Sequence, residues 1–189
     1  MLTIIEDQVF KNKSFLAEKF EIAQYEDCKF QGCNFNSQSL SEARFIDCSF
    51  SNCDLSMVGV TNTYFQNVYF EFSKLLGVYF ESCNPFLLKL SFKNCDLSSS
   101  TFYQLNLSTT HFENCKIHDV DFTESNLDKA VFDQCDLLNA KFENCSMNAS
   151  NFRTAINFSI DPQLNQLKKT RFAKDNLLGL LQNVSIVVD

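Results

Sequence analysis

The most reactive side chains of this sequence are nine thiols, at Cys28, Cys33, Cys48, Cys53, Cys83, Cys95, Cys115, Cys135 and Cys145. Thiols bind metals, form disulfides or act as nucleophiles, and each role asks for its own spacing. No CxxC pair occurs, and the nearest pairs, Cys28 with Cys33 and Cys48 with Cys53, stand five residues apart. That is not a zinc spacing. The two histidines, His111 and His118, are expected on the surface, away from any nucleophile. Nothing resembles a nucleophile elbow, a phosphate loop or a carboxylate pair set for acid–base work. The expectation is therefore no enzyme, no cofactor and no metal.

The remaining chemistry is charge. The formal net charge is -7, and residues 1–150 hold 11 Lys or Arg against 20 Asp or Glu. An acidic body argues against direct nucleic-acid binding, which needs clustered cations for phosphates. It suits a basic partner. Met1–Phe10 lacks the basic start and apolar run of a secretory leader, and no run of about 18 apolar residues marks a membrane span. A cytoplasmic location, with no membrane partner, is expected, and an odd count of thiols fits a reducing compartment.

What must position these groups is a repeat of five. A large apolar residue stands at Phe10, Phe15, Phe20, Tyr25, Phe30, Phe35, Leu40, Phe45, Phe50, Leu55, Val60, Phe65, Phe70, Leu75 and Phe80. After a shift of two residues it resumes at Leu87, Phe92, Leu97, Phe102, Leu107, Phe112, Ile117, Phe122, Leu127, Phe132, Leu137, Phe142, Met147 and Phe152. Neither a helix nor a plain strand has that period. Two places before the large residues small side chains dominate, and all nine cysteines fall in that phase. Residues two apart on extended chain point to one side, so each quintet is expected to bury one small and one large side chain. In HFENC, VFDQC and KFENC two polar residues lie between the large and the small one.

On these residues, over 8–154, the chain resembles the pentapeptide-repeat proteins. The resemblance implies an all-β fold, a right-handed quadrilateral β-helix in which four quintets make a coil and coils stack about 4.8 Å apart. Residues twenty apart then share a column. Cys95, Cys115 and Cys135 fall in one such column, near enough for disulfides, but are expected to remain buried structural thiols. Asp7, Asp27 and Asp47 form another, with Glu6 and Glu26 beside it. That stripe reads either as a solvated face or as a partner-binding surface. The mixed columns Asp96–Lys116–Asp136 and Lys93–Glu113–Asp133–Arg153 read as coil-to-coil ion pairing.

The shift at 81–87 contains Pro85 and reads as a bulge absorbing two residues, as a kink or as a contact loop. From Ile156 the rhythm stops. Leu177, Leu180, Leu181 and Val184 have helical spacing, so a C-terminal α-helix is expected, followed by a short strand at Ile186–Val188. The division expected is a solenoid over 1–155 and a terminal segment over 156–189. An open solenoid needs an end cap, and the tail is either that alone or also a dimer contact through Leu177, Leu178, Leu180, Leu181, Val184, Ile186 and Val188. The Ile160, Asp161, Pro162, Asn165 run and Leu-rich tail look like the dimer module of topoisomerase-protecting members, of the quinolone-resistance and microcin-immunity types. That resemblance implies a homodimeric, DNA-mimicking acidic rod that binds DNA gyrase or topoisomerase IV. The alternative is a generic interaction or scaffold solenoid.

Overall fold

A five-residue rhythm leaves room only for strands of three or four residues, because every fifth residue must turn the chain. The computed structural model describes residues 2–16 and 20–181. Its strands are β1 (Ile4–Glu6), β2 (Val9–Lys11), β3 (Gln24–Glu26), β4 (Lys29–Gln31), β5 (Arg44–Ile46), β6 (Ser49–Ser51), β7 (Tyr64–Gln66), β8 (Val68–Glu71), β9 (Leu90–Lys93), β10 (His111–Glu113) and β11 (Val131–Asp133). The turning residues take left-handed φ: 54° at Asp7, 52° at Asn12, 50° at Asp27, 54° at Asn52, 55° at Asn144. Asn and Asp tolerate that region best among residues with a Cβ. The polar residues after each large one in HFENC, VFDQC and KFENC are thus corners, with Asn114, Gln134 and Asn144 in the left-handed region two positions after the large residue.

All pairing is parallel. One sheet runs β1-β3-β5-β7 and a second runs β2-β4-β6-β8-β9-β10-β11. Tyr25 pairs with Phe45 and Phe30 with Phe50, a register of twenty. Isolated bridges supply further ladders, such as Asp54–Lys74 and Tyr79–Thr101. The chain is an all-β parallel solenoid with little helix. Its core is a set of side-chain columns: Phe30 stacks on Phe50 at 4.7 Å, Phe112 on Phe132 at 4.8 Å and Phe80 on Phe102 at 4.7 Å. Neighbouring columns meet edge-on, as Phe92 and Phe102 do at 6.0 Å. Of the expected large inward residues, Phe10 and Phe15 at the first coil are only partly covered, and the rest up to Phe80 are buried. From Ala23 onward the small positions are buried too, apart from Gln38 and Pro85, and hydroxyls there reach carbonyls, as Thr63 Oγ1 does in donating to Leu40 O at 2.8 Å.

The break corrects one expectation. Leu87 does not open the second run of inward residues: it is 65% exposed, with φ 55°. Asn84 N donates to Thr63 O and Lys89 N to Phe65 O, at 2.9 and 3.0 Å. Five residues therefore span what two span on the coil below, and 85–88 swing outward. Pro85 occupies the inward phase but has no N–H to give the ladder. Leu88 folds back against the core, Leu90 fills the buried small site, and pairing resumes at a spacing of 22 with Phe70–Phe92.

The ladder also continues past Ile156. Ser146 bridges Gln166, Asn151 bridges Arg171, and Phe172 stacks on Phe152 at 5.6 Å. The rhythm was hidden because the in-phase positions hold Asn157 and Pro162, while Phe158 and Ile160 are the buried residues. Instead of an α-helix, Lys174–Leu180 form a 3-10 helix, with Leu181 N bonding Leu178 O at 3.0 Å. Val184, Ile186, Val188 and the expected terminal strand lie outside the described residues.

Replacing a column residue tests this core. Phe122 is fully buried, with Phe102 at 5.3 Å and Phe142 at 5.2 Å. Phe122→Ala is expected to cost roughly 3–5 kcal/mol in denaturant unfolding, and an unchanged midpoint would refute the inward assignment.

Candidate interaction surface

The thiols lie inside. All nine are free and buried, and six of them, Cys28, Cys33, Cys48, Cys53, Cys135 and Cys145, point at carbonyls of the coil below, as Cys48 Sγ does at Tyr25 O, 3.4 Å. Burial pushes Cys48 and Cys83 up to about 12 from an ordinary 9.0. In the Cys95–Cys115–Cys135 column, thiol–thiol hydrogen bonds lead: one to Cys135 is the main cause that pushes Cys115 up to about 12, and one to Cys115 raises Cys95. Cys33 differs, since a hydrogen bond from Cys53 outweighs burial and lowers it; the other shifted thiols stay neutral and covered, and such thiols are poor nucleophiles. Among the described residues no cluster of His, Cys, Asp or Glu is arranged to hold a metal ion, and no helix is long and apolar enough to cross a membrane.

The histidines differ from each other. His111 is exposed, but His118 is half-buried, with Nε2 at 2.8 Å from Asp136 Oδ2. Burial works against the Asp136 carboxylate, yet hydrogen bonds from Asn157 and His118 outweigh it and hold its pKa below the ordinary value. The mixed columns pair from coil to coil, Lys93 with Glu113 at 2.9 Å and Lys116 with Asp96 at 3.4 Å. These exposed pairs are screened by solvent and add little stability.

The acidic stripe is brought together at one corner of the rod. Asp7, Asp27 and Asp47 have φ of 54°, 50° and 53°, and their amides bond Glu26 O, Ile46 O and Gln66 O at 3.1, 3.0 and 2.9 Å. Glu6 pairs in register with Glu26, beside that column, and Ile46 ends the Glu column. Asp7, Asp27, Asp47 and Glu6 are exposed and Glu26 partly so. Conformation alone does not require the charges, because the next corner of the same coils holds Asn12, Gly32 and Asn52 in the same left-handed region. Elsewhere a corner acid meets an amide from an adjacent coil: Asn62 Nδ2 donates to Glu42 at 2.8 Å and Asn139 Nδ2 to Asp119 at 3.0 Å. On the stripe, among the described residues, the one amide from an adjacent coil is at the upper end, where Asn67 donates to Asp47 at 2.6 Å, while Glu26 accepts from Gln24 of its own strand at 2.5 Å. Like charges in neighbouring strand positions repel, so the stripe works against the fold.

The terminal segment closes the solenoid with side-chain amides. Asn165 Nδ2 donates to Phe142 O and its Oδ1 accepts from Cys145 N, both at 2.9 Å. Asn176 Nδ2 reaches Phe152 O at 2.9 Å and Ala155 O at 3.0 Å. Gly179 is buried against Phe158, where a Cβ would stand 2.6 Å from the Phe158 carbonyl oxygen. The glycine that weakens a helix in sequence terms is what permits this close approach. Of the leucines, Leu180 packs on the core, whereas Leu177, Leu178 and Leu181 are exposed, beside exposed Ile156. Sequence reasoning missed both Ile156 and the capping amides; Asn165 and Asn176 differ from ordinary surface asparagines only through their place at the ladder's end.

The fold defines a class, a parallel β-solenoid wound in units of five. The chain matches the pentapeptide repeat region over residues 3–85 and 87–156, and it belongs to the pentapeptide-repeat family. The gap in that match falls at Phe86, inside the outward turn. Among solved structures it is similar to QnrB1, a plasmid-mediated fluoroquinolone resistance protein, in a trypsin-treated form, with TM-score 0.57 and 14% identity over 100% of both chains. It is also similar to HetL of the cyanobacterium Nostoc sp. strain PCC 7120, a pentapeptide repeat protein involved in heterocyst differentiation regulation. There the TM-score is 0.67, with 17% identity over 98% of this chain and 92% of HetL. At these identities both likenesses concern the fold. No curated protein matches in sequence.

The buried thiols set a pH dependence. Unfolded thiols ionise near 9.0, whereas folded Cys48 and Cys83 hold their protons to about 12. Between these values the unfolded chain binds fewer protons, so stability falls as pH rises. Thermal melting is expected to be insensitive to these thiols below about pH 9 and to weaken steadily above it. Replacing Cys48 and Cys83 by Ala should flatten part of that decline. A decline of the same steepness in the variant would remove the thiols as its cause.

Proposed function

We propose that this chain is a non-enzymatic, right-handed and four-sided rod that binds a type II topoisomerase, DNA gyrase or topoisomerase IV, and modulates it or shields it from an inhibitor. Its acidic corner would occupy the cationic surface that otherwise holds DNA. The observation that carries this reading is the stack Asp7, Asp27, Asp47, flanked by Glu6 and Glu26, kept at a cost to the fold where Asn or Gly serves the next corner. Five carboxylates over three coils give one charge per about 3 Å of rod, against about 1.7 Å for duplex DNA. Carboxylates so spaced can form charge-assisted hydrogen bonds with Arg and Lys that grip phosphates. The fold shared with QnrB1 supports the same reading. In this proposal residues 1–155 are the rod and 156–189 the capping and dimerising segment, and nine free thiols fit action in the reducing cytoplasm.

A second reading has its own support. HetL shares the fold and is tied by its description to developmental regulation, so the rod also suits a scaffold or interaction role unrelated to topoisomerase. A gyrase supercoiling assay, with and without a poison, separates the two. The first reading expects direct binding with inhibition or protection, weakened about tenfold or more, about 1.4 kcal/mol, in the Asp7→Asn, Asp27→Asn, Asp47→Asn triple variant. Asn keeps the corner conformation and removes only charge. No binding, inhibition or protection by the parent would leave the scaffold reading.

For the tail, we infer a homodimer formed through Leu177, Leu178, Leu180, Leu181, Val184, Ile186 and Val188, since the exposed leucines beside Ile156 make an apolar surface at the closed end. Sedimentation should give twice the chain mass of 21.7 kDa for the parent and the single-chain mass for Leu178→Asp. Single-chain mass in both would eliminate the dimer.

A further inference from the structure

The outward turn at the break has a composition that the fold does not ask for. Phe86 is 63% exposed and Leu87 65% exposed. The turn is braced at both ends: Phe86 N donates to Asn84 Oδ1 at 3.0 Å, and Leu88 N donates to Pro85 O at 3.3 Å. Leu87 sits third in this four-residue turn with φ 55°, a place that favours Gly or Asn over an apolar residue. Water therefore faces two large apolar side chains held on a preformed tip. Neither the core nor the turn geometry benefits from their being apolar.

Position along the rod gives the tip its context. Tyr64 pairs with Asn84 and Val68 with Leu90, so the outward turn 85–88 lies on the next coil over the corner segment 65–67, at the top of the stack Asp7, Asp27, Asp47 and Asn67. The acidic column thus leads up one edge of the rod to an exposed apolar tip. Resting on the topoisomerase reading above, we propose that Phe86 and Leu87 are the apolar anchor of that same interface. The partner surface would be a protein with an apolar socket next to a row of Lys and Arg side chains. The carboxylates would govern approach and salt dependence, and the tip would govern residence time, since buried aromatic and aliphatic anchors carry most interface energy.

The test uses the full chain and purified gyrase in a surface-binding experiment, with three proteins compared across salt: the parent, the Phe86→Ser, Leu87→Asn double variant, and the Asp7→Asn, Asp27→Asn, Asp47→Asn triple variant. The double variant is expected to dissociate at least about tenfold faster with the salt dependence of the parent retained, whereas the triple variant loses association rate and salt dependence. Melting of Leu87→Asn alone should match or exceed the parent, because Asn suits the left-handed turn. A lower melting point would make Leu87 structural and overturn the inference. If the parent binds and the double variant binds equally well, the anchor is refuted while the topoisomerase reading stands. If the parent does not bind gyrase, both fall together.

Discussion

Each coil has to turn through a full circuit in twenty residues, and the left-handed residue two places after each large side chain makes that possible. Residues such as Asp27, Asn52 and Asn144 adopt φ near 50–55°, a region where a β-branched or bulky residue is strained. Everything else follows from that corner. The segment between corners is long enough for one buried small and one buried large side chain. Coils of equal length then lay Phe30 on Phe50 and Phe112 on Phe132. Backbone pairing from coil to coil occupies the remaining amides, including those of the corner residues themselves.

That arrangement separates architecture from surface chemistry. Inward sites need only size and, where polar, a carbonyl within reach. Cys, Ala, Val, Ser and Thr therefore interchange at the small positions, and nine thiols accumulate there without any chemistry to perform. Corner sites need only positive φ, which residues as different as Glu42, Met57, Gln104 and Lys129 take here and which Asn, Asp and Gly adopt most readily. Since all three satisfy the backbone, whether a corner carries charge is decided by something other than folding. The neighbouring corners Asp7–Asp27–Asp47 and Asn12–Gly32–Asn52 make this visible on the same coils.

The repeat was legible because every large residue from Phe20 to Phe80, and again from Phe92 to Phe152, is in phase and buried. Where neighbours are apolar in several phases at once, spacing loses its power. In Phe86-Leu87-Leu88 any of three residues fits the inward pattern, and counting back from Phe92 selects Leu87. Hydrogen bonds from Asn84 and Lys89 to the coil below place the excursion at 85–88 instead. The tail was obscured for the opposite reason, since Asn157 and Pro162 leave the in-phase positions without a signal while pairing continues to Arg171. The helical spacing of its leucines was real, but Gly179 pressed against Phe158 tightens the segment into a 3-10 helix. The acidic column was legible as soon as twenty residues were taken as one coil, whereas the pairing of corner acids with amides elsewhere required the side-chain geometry.

The same column also limits where electrostatics can act along the rod. Beyond Asn67 the left-handed sites on the next five coils are Leu87, Thr109, Lys129, Ala149 and Lys169, so acid gives way to apolar, polar and basic residues. In that half the faces carry ladders such as Lys93–Glu113 and Lys116–Asp96, whose opposite charges lie within 3.4 Å and largely cancel. A cancelled pair has little field beyond the screening length of about 8 Å at physiological salt. The stacked carboxylates of the first three coils are all of one sign and do not cancel one another. Along this one edge a cationic partner would therefore meet like-charged carboxylates on the first three coils, and the first uncharged, protruding feature beyond them would be the tip at Phe86 and Leu87.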